Sequence, residues 1–283
     1  MQMPRILVWT VAVREAPEPL WSRLGAMLDE VERARAARFA FERHRREFMA
    51  AHALKRVMLS VVSEPAPHAW TFETAPSGKP RVSPLTGPHS GPHFNLSHSE
   101  GLVACAVSNE LELGIDVEAV DREAPLEIAR IHFAPAEQSW IAALPRSEQA
   151  LAFWRVWTLK EAFIKATGRG LGQPLQDISF SFDPLRVVFH DRALGDSRAW
   201  HFEQRLIGGG HMLALAWRHA GQDASVSFRE MQLESLLAEA DIRLSAAAGA
   251  IRKNESAPVR PAENTESRDG PTNAAEDQIR GRR

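Results

Sequence analysis

The chain alternates between long stretches patterned for helices and short runs patterned for strands. An apolar run over residues 4–14 predicts a first strand. From 20 to 62, apolar positions recur near helical spacing between clusters of charge, which predicts a mostly helical block. In "TFETAPSGKPRVSP" the Ser-Gly-Lys-Pro reads as a turn into a short extended segment. Leu102 to Val107 read as a buried strand, with Asn95, Ser97 and His98 crowded at its mouth. "LGIDVEAVDR" predicts a further strand. Residues 125–132 and "APAEQSWIAALP" predict helices, the second with Pro135 near its first turn. Residues 150–167, "ALAFWRVWTLKEAFIKAT", predict a strong helix that Gly168 stops. "DISFSFD", "LRVVFHD", "AWHFEQRL" and "HMLALAWRH" then read as antiparallel strands, with Gly208, Gly209 and Gly210 turning between the last two.

Two helical blocks, each followed by short strands, predict an α+β fold in two halves, residues 1–108 and 109–232. Each half is expected to pack a small antiparallel sheet against helices. Residues 233–283 form a third region: one amphipathic helix, then a tail from Asn254 with few bulky apolar residues, expected to be disordered.

Composition narrows the function classes. With 283 residues, 44% hydrophobic and 25% charged, the chain matches an ordinary soluble globular protein. A net charge of −2 gives no global basicity for nucleic acid. No apolar stretch is long enough to span a membrane, and the first apolar run lacks a small-residue cleavage site. The single cysteine, Cys105, excludes an internal disulfide and fits a reducing cytoplasm. No zinc-type spacing, phosphate-loop lysine or nucleophile elbow is present.

Some positions carry candidate chemistry. On a strand, Asp116 and Glu118 point to one face, while Ile115 and Val117 point to the other. Paired carboxylates suit a solvated edge or, more sharply, a hard divalent cation that prefers oxygen ligands. Glu161 and Lys165 are one helical turn apart. They make an ordinary surface pair, or a third carboxylate for a metal with a lysine for phosphate or proton. Arg33, Arg35, Arg38, Arg43, Arg45 and Arg46 make either a solvated basic face or an anion site. Taken alone, Ser97, His98, Ser99 and Gly101 suit a hairpin turn.

Five segments together resemble a known family. "GKP" at Gly78 to Pro80, "FNLSHSEG", "GIDVE", "FAPAE" and "WTLKEAFIKATGRGL" follow the order and spacing of the 4′-phosphopantetheinyl transferases of the large, monomeric, Sfp-type class. The resemblance covers about residues 5 to 230. It implies two similar halves related by pseudo-twofold symmetry. It also implies a Mg²⁺-dependent transfer of the phosphopantetheine arm of coenzyme A to a serine of an acyl, peptidyl or aryl carrier protein, releasing 3′,5′-ADP. Mn²⁺ is an expected substitute. By similarity Asp116, Glu118 and Glu161 hold the metal, and Asp116, Glu161 and Lys165 are catalytic. Arg38, Arg45, Arg46, Lys79, Pro80, Ser97, His98 and Lys165 would contact coenzyme A. The base stays open between Glu161, Lys165 and a metal-bound water. So does the choice of arginine for the 3′-phosphate, because the basic helix departs from the family pattern. A monomer in the cytoplasm, with no nucleic-acid or membrane partner, completes the expectation. Which carrier or pathway it serves is not legible.

Two rivals remain. A serine hydrolase built on Ser97, His98 and Asp116 is disfavoured, because adjacent residues of an extended strand point to opposite sides. A coenzyme A or carrier-protein binding module without catalysis would not need three carboxylates and Lys165 together.

Overall fold

The structure is a computed structural model that describes residues 3–83, 91–221 and 224–255. Strand β1 (Arg5–Ala12) opens it. The predicted helical block resolves into α1 (Glu18–Met27), α2 (Glu30–Ala36) and α3 (Glu42–Val62). Asp29 divides the first two: its side chain accepts from the Glu32 N–H at 2.8 Å, a capping box that restarts the helix. The Gly-Lys-Pro turn links a small hairpin, β2 (Phe72–Thr74) and β3 (Pro80–Val82). β4 (His93–Ser99) and β5 (Leu102–Ser108) form the next hairpin. Its tight turn needs left-handed backbone at Glu100 and Gly101, with φ of 42° and 79°.

The same order then repeats. β6 (Leu113–Ala119) leads to α4 (Leu126–His132), α5 (Pro135–Ala143) and α6 (Arg146–Thr167). The hairpin of β7 (Ile178–Ser181) and β8 (Arg186–Phe189) follows, then β9 (Trp200–Ile207) and β10 (His211–Arg218). The sheets repeat as well, β1-β5-β4 in the first half and β6-β10-β9 in the second. The division after residue 108 falls between β5 and β6.

The sequence reading assigns no element to residues 225–231 and groups them with the second half, whereas the structure makes them strand β11 (Ser225–Met231). It pairs with β1, and in parallel, so the first sheet is mixed rather than purely antiparallel. Its pattern is mostly polar, with Val226 and Phe228 alone turned toward the core between the sheets, so the local signal was weak. Pairing there covers the otherwise free edge of β1. α7 (Leu233–Glu255) adds Leu233, Leu236, Leu237 and Ala240 to the core around α3. Of the tail expected to be disordered from Asn254, residues 254 and 255 close α7 and residues 256–283 lie outside the described residues.

The layers run α3, first sheet, second sheet, α6. Leu7, Trp9, Val11, Val103, Cys105 and Val107 face α3. Their alternates Ile6, Val8, Ala104 and Ala106 meet Leu113, Ile115, Val117 and Leu213 of the second sheet. With both faces covered, β5 is apolar along nearly its whole length.

A buried ion pair ties each long helix in place, and a glycine seats the second. Glu32 of α2 pairs with Lys55 of α3 at 2.6 Å, and Glu137 of α5 pairs with Lys160 of α6 at 2.8 Å. Both glutamates also accept the backbone N–H at their own helix start. Lys160 further donates to the carbonyls of Leu175 and Ile178. That glycine is Gly114. A Cβ there would lie 2.1 Å from the Ala162 carbonyl oxygen and 2.3 Å from the Ala166 nitrogen, so only glycine lets α6 settle against β6.

Gly114→Ala is therefore expected to lower stability by at least ~1–3 kcal/mol, the usual cost of overpacking. Glu137→Ala strands a fully buried ammonium and is expected to cost about 3–5 kcal/mol. Urea unfolding midpoints check both; changes within a few tenths of a kcal/mol would contradict this account of the packing.

Candidate active site

Period-two geometry places Gly114, Asp116 and Glu118 on the face of β6 that α6 covers. The close approach at Gly114 brings Glu161 and Lys165, neighbours on one side of α6, over those carboxylates. Lys165 Nζ donates to Asp116 Oδ1 at 2.7 Å and to Ser97 Oγ at 2.9 Å. Ser97 Oγ donates to the same Asp116 oxygen at 2.9 Å. β4 of the first half and β6 and α6 of the second thus meet at one carboxylate.

Asp116 is 4% exposed, and its Oδ2 is buried with no hydrogen-bond partner among the described residues. Glu118 accepts from Ser99 Oγ at 2.8 Å and pairs with Arg122, whose guanidinium stacks over Trp154. Burial, then the charge of Asp116, pushes the Glu118 carboxyl up. The same two causes push Glu161 up to about 7, against a downward pull from Lys165. With Ser97, His98 and Trp157, these groups line a cleft of about 470 Å³. The acidic groups share its wall, but among the described residues no three carboxylate, imidazole or thiol groups stand as a ready-made ligand cluster.

His98 points away from Ser97, as extended backbone requires. Its side chain is half-exposed, and Nδ1 lies 3.6 Å from Glu47 of α3. Glu47 is anchored by the Gly101 N–H at 2.8 Å.

The remaining expected contacts lie elsewhere. Lys79 and Pro80 line a second cavity of about 420 Å³ with His93, Phe94, Ala166 and Thr167. Lys79 Nζ donates to the carbonyls of Leu113 at 2.8 Å and Ala166 at 3.0 Å, fastening the end of α6 to the start of β6. Burial lowers its pKa to about 8. Arg45 and Arg46 both bond Glu42, at 2.8 and 2.9 Å. Arg38 borders a separate cleft with Val31, Arg35 and Phe39. The structure gathers Ser97, His98, Asp116, Glu118, Glu161 and Lys165, and leaves Lys79, Pro80, Arg38, Arg45 and Arg46 outside that cleft. Sequence reasoning missed Ser99, Arg122 and Glu47. Ser99 carried a usable signal, since it continues the period of Asn95 and Ser97; the other two did not.

Comparison with known proteins gives consistent matches. A family model described as the 4′-phosphopantetheinyl transferase superfamily matches residues 112–216, and one described as 4′-phosphopantetheinyl transferase, N-terminal, matches residues 15–110. The chain is 36% identical over 178 residues to the 4′-phosphopantetheinyl transferase HetI of Nostoc sp., covering 62% of this chain and 74% of that one. It is 39% identical over 108 residues to the transferase Sfp of Bacillus subtilis, covering 38% and 46%. It is 28% identical over 233 residues to the human L-aminoadipate-semialdehyde dehydrogenase-phosphopantetheinyl transferase, covering 76% and 71%.

The raised Glu161 carboxyl has a consequence for pH. Between about 4.5 and about 7 the folded state holds a proton that the unfolded state has released, so this group lowers stability as pH rises through that window. Glu161→Gln removes the effect. With chelator present, the melting temperature of the variant relative to wild type should climb across that window and level above it. Parallel melting curves from pH 4 to 8 would show that Glu161 is not held in this state.

Proposed function

The chain belongs to the 4′-phosphopantetheinyl transferase superfamily, and we propose that it moves the 4′-phosphopantetheine arm of coenzyme A onto a serine of an acyl, peptidyl or aryl carrier protein. The carrier serine oxygen bonds to the β-phosphorus, the bond to the bridging oxygen breaks, and 3′,5′-ADP leaves. The serine proton passes to a base. The observation that carries the reading is the meeting of Ser97, Asp116 and Lys165 from both halves, with Glu118 and Glu161 in the same cleft.

The chain's own groups divide the work. Lys165 supplies a positive charge at the cleft for a phosphate oxygen. For the serine proton the same cleft offers Glu161, Lys165 or a water on the metal it would hold. His98, half-exposed on the cleft rim, can meet phosphate. The carboxylate cleft and the cavity at Lys79 and Pro80 are consecutive along β4 and α6, which suits a nucleotide laid over the second with its diphosphate at the first. Arg38, Arg45 and Arg46 are the reserve of charge on the N-terminal half for a 3′-phosphate.

The donor set fits a hard dication such as Mg²⁺ or Mn²⁺. Asp116, Glu118 and Glu161 offer oxygen donors, Asp116 Oδ2 is buried without a partner among the described residues, and burial together with the charge of Asp116 raises the two glutamates. Such an ion supplies charge against the diphosphate when bound. One chain provides both walls of the cleft, which supports action as a monomer. Among the described residues no helix is long and apolar enough to cross a membrane. A cytoplasmic setting goes with this reading, and the one thiol, Cys105, is buried and free.

Carrier protein incubated with the chain, coenzyme A and Mg²⁺ should gain the mass of one phosphopantetheine group. Asp116→Ala should nearly abolish this gain, and Lys165→Ala should slow it by about 10²-fold or more when assayed below its own melting temperature. Wild-type rates in both variants would overturn the reading.

A further inference from the structure

β4 and β6 are each the edge strand of their own sheet, and they lie side by side without a shared main-chain ladder. An edge strand leaves every second N–H unpaired. On β6 these belong to Ile115, Val117 and Ala119, since β10 takes the other edge. Side chains of β4 meet all three. Asn95 Oδ1 accepts from the Ile115 N–H at 2.9 Å, Ser97 Oγ from the Val117 N–H at 3.2 Å, and Ser99 Oγ from the Ala119 N–H at 3.2 Å.

A hydroxyl has one proton to give. Having accepted a backbone N–H, Ser97 donates to Asp116 and Ser99 donates to Glu118, at 2.9 and 2.8 Å. Each serine therefore bonds one residue's carboxylate and the next residue's N–H. A slip of β6 by one residue would break the whole set and turn both carboxylates to the opposite face.

We propose that Asn95, Ser97 and Ser99 form a side-chain rail that sets the register of β6 against β4 and aims the Asp116 and Glu118 carboxylates, which makes Asn95 and Ser99 positioning residues for the site. The aiming role rests on the transferase reading above; the rail itself does not. Groups that orient metal-binding carboxylates typically change metal affinity 10- to 100-fold when removed.

The test uses the full chain. In wild-type protein without metal or coenzyme A, the amides of Ile115, Val117 and Ala119 should exchange with deuterium as slowly as those of central strands. Ser99→Ala should speed exchange at Ala119 at least tenfold. It should also weaken Mg²⁺ binding about tenfold by calorimetry and lower kcat with little change in KM for coenzyme A. Ser99→Thr, which keeps the hydroxyl, should restore Mg²⁺ affinity. Asn95→Ala should expose the Ile115 amide, and Asn95→Asp, which keeps the accepting oxygen, should not. Fast exchange at these amides in wild type overturns the rail, even if Ser99→Ala fails to fold. Unchanged Mg²⁺ affinity in a folded Ser99→Ala overturns the aiming role. If wild type binds no Mg²⁺ and modifies no carrier, the transferase reading and the aiming role fall together, while the amide pattern still decides the rail.

Discussion

Asp116 is a carboxylate in the seam between two halves, and the surrounding structure answers its charge. Burying an ionised carboxylate is costly unless it is paired and hydrogen-bonded. Lys165 and Ser97 provide that pairing from opposite halves. The Lys165 contact needs α6 close on β6, a distance that Gly114 permits, and the Ser97 contact needs β4 beside β6. The site and the joint between the halves are therefore one structural problem. The orphaned Asp116 Oδ2 and the raised glutamates mark the part of it that protein groups alone leave unsolved.

The repeat of strand, three helices, hairpin and two strands shows how the scaffold is separated from the chemistry. Both halves keep the buried lysine on the long helix and the glutamate that pairs with it. The residue after that lysine differs. In the second half it is Glu161, facing the cleft. In the first it is Arg56, fully buried and spent on Glu32, Asp29 and two backbone carbonyls. One half has kept the pattern for stability, and the other carries the acidic cleft on it.

Much was legible from the chain because it follows from local backbone geometry. A strand period of two sends Asp116 and Glu118 to one face; a helical turn stacks Glu161 on Lys165; extended backbone turns Ser97 away from His98. These hold wherever the elements are packed. Motif order carried the family, since five spaced segments seldom coincide. The tertiary structure alone decided which edges meet. That β4 lies against β6, so that alternate side chains take the place of a main-chain ladder, depends on contacts far apart in sequence. The return of β11 to β1 is of the same kind. Lys79 shows the limit most clearly: its charge suggested a phosphate, but its amine ends on two carbonyls because folding brings the end of α6 and the start of β6 within its reach. Local periodicity determines which way a side chain points, and long-range packing determines what it finds there.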